Sequence, residues 1–203
     1  MVNGIKIALL PISAKPYHAG HDSLVRIAST ENDMVKLYVS TSDRARHGEI
    51  KISGSTMQTI WHDYIEQSLP SNVTIDYGGS PVTKVYKELE DAEAVRSIDT
   101  YVIYSDENDI LKYTDKNFSK SAPHLFTNGQ IERRGIKRSE TVQVSGTEMR
   151  KLLKDNNMID FIALLPPTIQ KHGKKIFKLL LNKTVTKESL LRKYIKTVVE
   201  NTT

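Results

Sequence analysis

The chain contains no cysteine, and this absence removes three kinds of chemistry. Disulfide bonds, zinc–thiolate centres and cysteine nucleophiles are all excluded. The sequence also lacks any apolar run approaching the roughly 18 residues of a membrane-spanning helix. Residues 1–10 have a short apolar run in place of the basic start and long apolar core of a secretory signal. We therefore expect a cytoplasmic protein that has no membrane partner.

The composition is that of a folded globular protein with a surplus of basic residues. Of the 203 residues, 38% are hydrophobic and 26% are charged, and the formal net charge is +5. A positive surplus favours anionic partners such as nucleotides, sugar phosphates or nucleic acid. Many basic residues lie late in the chain, where they form either a solvated helical surface or, alternatively, a nucleic-acid-binding surface. They are Lys171, Lys174, Lys175, Lys178, Lys183, Lys187, Arg192, Lys193 and Lys196.

Strand-like and helix-like segments alternate over residues 1–155. Five strands are predicted, at Ile5–Leu10, Met34–Ser40, Val73–Tyr77, Thr100–Tyr104 and Thr141–Val144. Residues 114–139 have little periodicity and predict a long, partly mobile loop. Repeated strand–helix units imply right-handed crossovers, so we predict an α/β, Rossmann-like, doubly wound parallel sheet of about five strands. In such a sheet, ligands bind beyond the carboxyl ends of the strands.

From residue 156 onward the pattern becomes helical only. Apolar spacing predicts one helix across Ile169 to Leu180 and another across Leu191 to Val198. We therefore predict two units, an α/β domain of residues 1–155 and a C-terminal helical extension of residues 156–203.

Two histidines follow the first predicted strand, at the point where a helix begins. A helix N-terminus offers unpaired N–H groups and a partial positive charge, which together suit an anion. His18 and His21 lie about one turn apart, so both can donate to a phosphate. Gly20 has no Cβ to block a close approach, and Lys15 adds a mobile positive charge. Ser13 and Gly20 are candidate nucleotide-binding residues. No third ligand stands nearby, so we expect no metal bound by protein side chains.

A second strand-to-helix junction lies about 125 residues further on. Ser145 or Thr147 can cap the helix, and Gly146 permits close approach of a ligand to the backbone. Arg150 lies in the first turns, within reach of a triphosphate. The two junctions together predict two phosphate-binding helix N-termini on one edge of the sheet.

These junctions resemble the two signatures of the nucleotidylyltransferase superfamily. HAGH at His18–His21 is similar to the HxGH signature, and SGTEMR at Ser145–Arg150 is similar to the ISSTxxR signature. The resemblance covers about residues 4 to 155. Many adenylyltransferases carry glycine, phenylalanine and an acidic or amide residue where this chain has Ile12, Ala14 and Lys15, so no single subfamily is indicated by this segment.

The resemblance implies a Rossmann-like sheet and in-line attack of an acceptor phosphate on the α-phosphorus of a nucleoside triphosphate. It implies that His18 and His21 stabilise the charge on the α-phosphoryl group and that Lys15 bridges the donor and acceptor phosphates. Arg150 and the N–H groups of Ser145 to Thr147 would hold the β- and γ-phosphates. A Mg²⁺ ion would accompany the triphosphate, bound mainly through the nucleotide and water.

Further positions are weaker candidates. Asp106, after the fourth strand, resembles the nucleotide-contacting aspartate of the nicotinate-nucleotide branch, but it could equally cap the next helix. Arg44, Arg46 and Lys51 follow the second strand and could hold the acceptor phosphate, or they could form a solvated basic loop.

Several functions stay open at this point. Transfer of AMP from ATP to a phosphorylated small molecule such as nicotinamide mononucleotide is the leading hypothesis. The alternatives are cytidylyl transfer from CTP to a phosphorylated alcohol or sugar, and a nucleotide-binding protein without turnover. A nucleic-acid-binding protein is disfavoured, because the lysine-rich second signature of aminoacyl-tRNA synthetases is absent. The oligomeric state is open, a homo-oligomer included.

Overall fold

A five-stranded parallel sheet forms the centre of the computed structural model, which describes residues 4–181. The strands are β1 (Lys6–Ile12), β2 (Met34–Val39), β3 (Val73–Tyr77), β4 (Thr100–Asp106) and β5 (Ile131–Ile136). All neighbours pair in parallel, in the order β3-β2-β1-β4-β5. The predicted α/β, Rossmann-like fold is therefore confirmed. The chain changes winding direction between β1 and β4, where such sheets bind ligands.

Helices cover both faces of the sheet. They are α1 (Ala19–Glu31), α2 (Gly54–Ile60), α3 (Pro81–Ala94), α4 (Asp115–Ser121), α5 (Pro123–Thr127), α6 (Gly146–Lys154), α7 (Met158–Ala163) and α8 (Gly173–Leu181). Helix α2 continues into a π-helical turn over Trp61–Ile65. The apolar spacing that predicted helices after the first three strands and at Thr147–Leu153 is thus confirmed.

Alternate residues of the central strand β1 belong to two separate cores. Ala8 and Leu10 pack with residues of α1, α2, α6, α7 and α8 on one face. Ile7 and Leu9 pack with residues of α3, α4 and α5 on the other face. Successive strand residues point to opposite faces, and both faces are covered, which explains the continuous apolar run.

The part of the C-terminal segment that the structure describes packs in the same core as Ala8 and Leu10. Phe161 of α7 and Phe177 of α8 meet edge to face at 5.2 Å between ring centroids, and both are buried with Met149 and Leu153 of α6. The predicted helix at Leu191–Val198 lies outside the described residues, as do the basic residues after residue 181.

Two predictions for the middle of the chain were wrong. The fifth strand is Ile131–Ile136, and residues 114–139 contain α4, α5 and this strand instead of a long loop. The apolar pattern did not indicate β5, because an edge strand tolerates charged side chains. Arg133 pairs with Asp115 at 2.7 Å, and Arg134 pairs with Glu140 at 2.8 Å.

The segment 141–144, predicted as a strand, pairs with no strand of the described sheet. The position beside β4 in the sheet is occupied by β5. Residues 141–144 lie beyond the carboxyl edge of the sheet and lead into α6. Across residues 4–181, no helix has the length and apolar character needed to cross a membrane.

If α8 belongs to the main core, Phe177→Ala should lower the free energy of unfolding by about 3–5 kcal/mol, as deletion of a buried aromatic side chain does. Chemical denaturation measures this loss. Lys178→Ala, at the exposed neighbouring position, is the control and should change stability by less than about 0.5 kcal/mol. Equal transition midpoints for the two variants would show that α8 lies outside the cooperative core.

Candidate functional site

Two cavities open at the carboxyl edge of the sheet. The larger has a volume of about 650 Å³ and extends between the ends of β1 and β4 and the segment that leads into α6. The smaller, of about 260 Å³, lies beside the loop that follows β2. Ser13, His21 and Gly146 line both cavities, so the two cavities meet at the two junctions predicted from the sequence.

The two histidines lie together at the start of α1. His18 is the N-cap residue, 5% exposed, and its ring stacks on that of His21 with 3.8 Å between centroids. Both side chains line the larger cavity. Within the described part of the chain, neither Nδ1 atom has a hydrogen-bond partner. Buried polar atoms are normally paired, so these two suit contact with a ligand.

The surroundings of these histidines favour their neutral forms. Burial, together with the positive charge of Arg150, lowers the pKa of His18 to about 4. Burial also holds the pKa of His21 well below its usual range, and the charge of His18 adds to this effect. Each neutral ring offers one N–H donor, and a bound anion would favour the protonated form.

The packing of Gly20 gives a structural reason for glycine at this position, and the close approach of a ligand stays a prediction. A Cβ at this position would lie 2.9 Å from the carbonyl oxygen of Val142, so glycine lets the segment before α6 approach α1. The N–H of Ala19 donates to the carbonyl of Leu164 at 3.0 Å and is not free for a ligand. The amides of Gly20 and His21 are the next ones that helix geometry leaves without an intrahelical acceptor.

Lys15 is not the mobile charge that the sequence suggested. It is 6% exposed, and its Nζ donates to the carbonyl of Ser40 at 2.9 Å. Burial lowers the pKa of Lys15, and the nearby charge of Asp43 partly offsets the effect. The residue before it, Ala14, has a φ of 42°, and the Lys15–Pro16 peptide bond is cis. The hydrogen bond to Ser40 holds the ammonium group of Lys15 beside the smaller cavity, which this residue lines.

The second junction is linked directly to the first. Ser145 caps α6, its hydroxyl accepting the N–H of Glu148 at 3.1 Å. Arg150 is 6% exposed and donates from Nη1 to the carbonyl of Lys15 at 2.8 Å and from Nη2 to the hydroxyl of Thr147 at 3.0 Å. A buried guanidinium therefore joins two segments that lie 135 positions apart in the sequence.

Glu49 contacts two arginines of the site, although no sequence pattern indicated it. Its carboxylate lies 2.9 Å from Nε of Arg150 and accepts from Nε of Arg44 at 3.1 Å. The hydrogen bond from Arg44 is the main cause that holds the pKa of this carboxyl below its usual range. Glu49 and Arg150 are 101 positions apart, so no local pattern could indicate this pair.

The weaker candidates separate into two groups. Arg44 lines the smaller cavity, whereas Arg46 and Lys51 line neither of the two cavities, and Lys51 pairs with Asp43 at 3.1 Å. Asp106 lines the larger cavity, and its Oδ1 also accepts the N–H groups of residues 108 and 109 at 2.9 Å. The capping role considered for this aspartate is therefore present, and a nucleotide contact stays a prediction.

No group of three or more histidine, aspartate or glutamate side chains within residues 4–181 is arranged to hold a metal ion. The Mg²⁺ expected from the sequence would be held mainly by the nucleotide and by water, and it stays a prediction.

Comparison with known proteins adds little to this geometry. No family model and no curated protein matches the chain. Among solved structures, the chain is similar to Thermotoga maritima TmcAL, crystallised with bound alpha-thio ATP, with 13% identity and a TM-score of 0.47. The similarity covers 84% of this chain and 55% of that one, so the chain spans little more than half the length of TmcAL. An identity this low transfers no function.

The low pKa of His18 predicts a loss of stability in mild acid. In the unfolded chain this histidine has a pKa of about 6.5, so as the pH falls the unfolded state takes up a proton before the folded state does. The contribution of His18 to the free energy of unfolding is therefore fully present above about pH 6.5 and is lost as the pH falls to about 4. The full shift corresponds to about 3 kcal/mol. Thermal melts between roughly pH 5 and 7 measure the effect while most carboxyl groups stay ionised.

His18→Gln should reduce this pH dependence, because glutamine does not titrate. His47→Gln, at an exposed position that lines neither cavity, should keep the full dependence. If His18→Gln and the wild type lost stability equally between pH 7 and pH 5, the buried neutral state of His18 would be contradicted.

Proposed function

We propose that this protein is a nucleotidylyltransferase that transfers a nucleoside monophosphate to a phosphorylated small molecule and releases pyrophosphate. The observation that carries the proposal is the meeting of two cavities at Ser13, His21 and Gly146. Two substrates can lie on either side of that boundary with their reacting groups together. Positioning of this kind supplies much of the catalysis in phosphoryl transfer.

In this proposal the nucleoside lies in the larger cavity and the α-phosphate lies at the boundary, so that the β- and γ-phosphates can reach Arg150 on the wall of the smaller cavity. An oxygen of the acceptor phosphate attacks the α-phosphorus, and the bond from the α-phosphorus to the bridging oxygen breaks. The electron pair of that bond leaves with pyrophosphate. His18 and His21 donate to the α-phosphoryl and bridging oxygens, where negative charge develops.

The cationic groups divide between the two substrates. Lys15 and Arg44 line the smaller cavity and would hold the acceptor phosphate there. Arg150 and the amides of Ser145 to Thr147 would hold the β- and γ-phosphates, because α6 begins at Gly146 on the boundary. When bound with the triphosphate, Mg²⁺ would neutralise part of its charge.

ATP is the donor that we favour, with nicotinamide mononucleotide as the representative acceptor. The size of the smaller cavity favours a second candidate. Its volume of about 260 Å³ lies below the roughly 300–1,000 Å³ of sites for drug-sized ligands, which suits a compact acceptor. Transfer from CTP to a phosphorylated alcohol or sugar is therefore the alternative.

A pyrophosphate-release assay tests the proposal. The purified protein would be mixed with Mg²⁺, each of the four ribonucleoside triphosphates, and a panel of acceptors from phosphorylated alcohols to nicotinamide mononucleotide. We expect His18→Ala to lower turnover by at least about 10²-fold, the cost of one preorganised donor at a developing charge.

His124→Ala, at an exposed histidine remote from both cavities, is the matched control and should keep full turnover. Release that requires CTP and a phosphorylated alcohol would replace the adenylyl assignment. No release with any pair, together with measurable nucleotide binding, would contradict catalysis and favour a binding protein.

A further inference from the structure

Two arginines on the wall of the smaller cavity donate hydrogen bonds to the same carboxylate. Arg44 and Arg150 line the cavity, whereas Glu49 does not. The carboxylate of Glu49 accepts a hydrogen bond from Nε of Arg44 at 3.1 Å and another from Nη2 of Arg150 at 3.2 Å. Glu49 therefore contacts both guanidinium groups without lining the cavity itself.

Both arginines use the same edge for this contact. Arg150 donates a hydrogen bond to Glu49 from Nη2, and its Nε lies 2.9 Å from the carboxylate as an ion pair without a hydrogen bond in the described part of the chain. Arg44 donates to Glu49 from both Nε and Nη2. In the described structure, neither guanidinium contacts Glu49 through its Nη1 group. Nη1 of Arg150 donates one hydrogen bond to the carbonyl of Lys15. A guanidinium carries five N–H donors in a rigid fork, so each arginine keeps donors for a further anion.

The loop that carries Glu49 is anchored at both ends. Arg44 and Ile52 exchange backbone hydrogen bonds of 2.8 and 2.9 Å, and Ile52 is buried in the core. Near the tip of the loop, Nζ of Lys154 on α6 donates to the carbonyl of Gly48 at 3.0 Å. The position of the carboxylate relative to α6 is therefore determined by the fold.

Three cationic side chains, Lys15, Arg44 and Arg150, line this small cavity together with the carboxylate of Asp43. Like charges that line one small cavity repel each other, and a shared counter-charge offsets this repulsion between the two arginines. We propose that Glu49 is a positioning residue that holds Arg44 and Arg150 side by side on the wall of the smaller cavity, so that the arginine assigned to the acceptor phosphate and the arginine assigned to the β- and γ-phosphates form one anion site. This inference rests on the proposed function, in which that cavity receives a phosphate group.

Charge and positioning predict opposite effects when Glu49 is changed. If only net charge mattered, removal of a carboxylate beside an anion site would tighten anion binding. If Glu49 positions the arginines, its removal weakens anion binding although the site becomes more positive.

The experiment is a calorimetric titration of the full chain with inorganic pyrophosphate. Glu49→Gln should raise the Kd at least about 10-fold, which corresponds to the loss of one hydrogen bond to a charged group. Glu49→Asp should also raise the Kd, because the shorter side chain keeps the charge but does not reach both arginines. Glu140→Gln removes a carboxylate from another arginine, Arg134, outside both cavities, and should leave the Kd unchanged.

Thermal melts of each variant separate positioning from folding, because a purely structural role would lower Tm without changing the Kd of the folded protein. Glu49→Asp keeps the test valid if Glu49→Gln does not fold. Binding by either variant as tight as or tighter than that of the wild type would overturn the inference, as would a wild-type chain that does not bind pyrophosphate.

The pyrophosphate-release assay distinguishes this result from the proposed function. Turnover by the wild type, together with unchanged pyrophosphate binding by Glu49→Gln, would overturn the role of Glu49 alone. Weaker binding by Glu49→Gln, without turnover for any substrate pair, would support the anion site and overturn the transferase.

Discussion

The buried guanidinium of Arg150 is the group on which the arrangement of the site depends. It donates to the carbonyl of Lys15 in the loop after β1, to Thr147 in its own helix, and to Glu49 in the loop after β2. A buried charge is tolerated only when it is paired and hydrogen-bonded, so these three partners have to meet at one place. The shape of the smaller cavity follows from this requirement.

The same charge influences the histidines. After burial, Arg150 is the second cause of the low pKa of His18. The site therefore combines cations held in place by hydrogen bonds with neutral imidazoles whose Nδ1 atoms have no partner in the described part of the chain. Such a set of groups has more donors than acceptors, which is what a polyphosphate with many acceptor oxygens requires. The function proposed for the chain is consistent with this imbalance.

The sequence predicted most of the fold and the central residues of the site. Nearly continuous apolar runs identified the inner strands, because a parallel strand covered on both faces has apolar side chains at most positions. The edge strand β5 was missed because Arg133 and Arg134 interrupt its apolar pattern, and the apolar residues around Val142 were assigned to the sheet although they lie over the larger cavity. An edge position relaxes the rule on which the pattern depends.

By itself, the sequence determined the first four strands, the helices that follow the first three of them, the placement of His18 and His21 where β1 leads into α1, and the placement of Arg150 in α6. Those features follow from local periodicity and capping, which neighbouring residues decide. Only the tertiary structure decided that Lys15 is buried against Ser40, that Arg44 lines a cavity while Arg46 and Lys51 do not, and that Glu49 joins two arginines. Those contacts join residues from separate loops and helices, and packing of the whole chain brings such residues together.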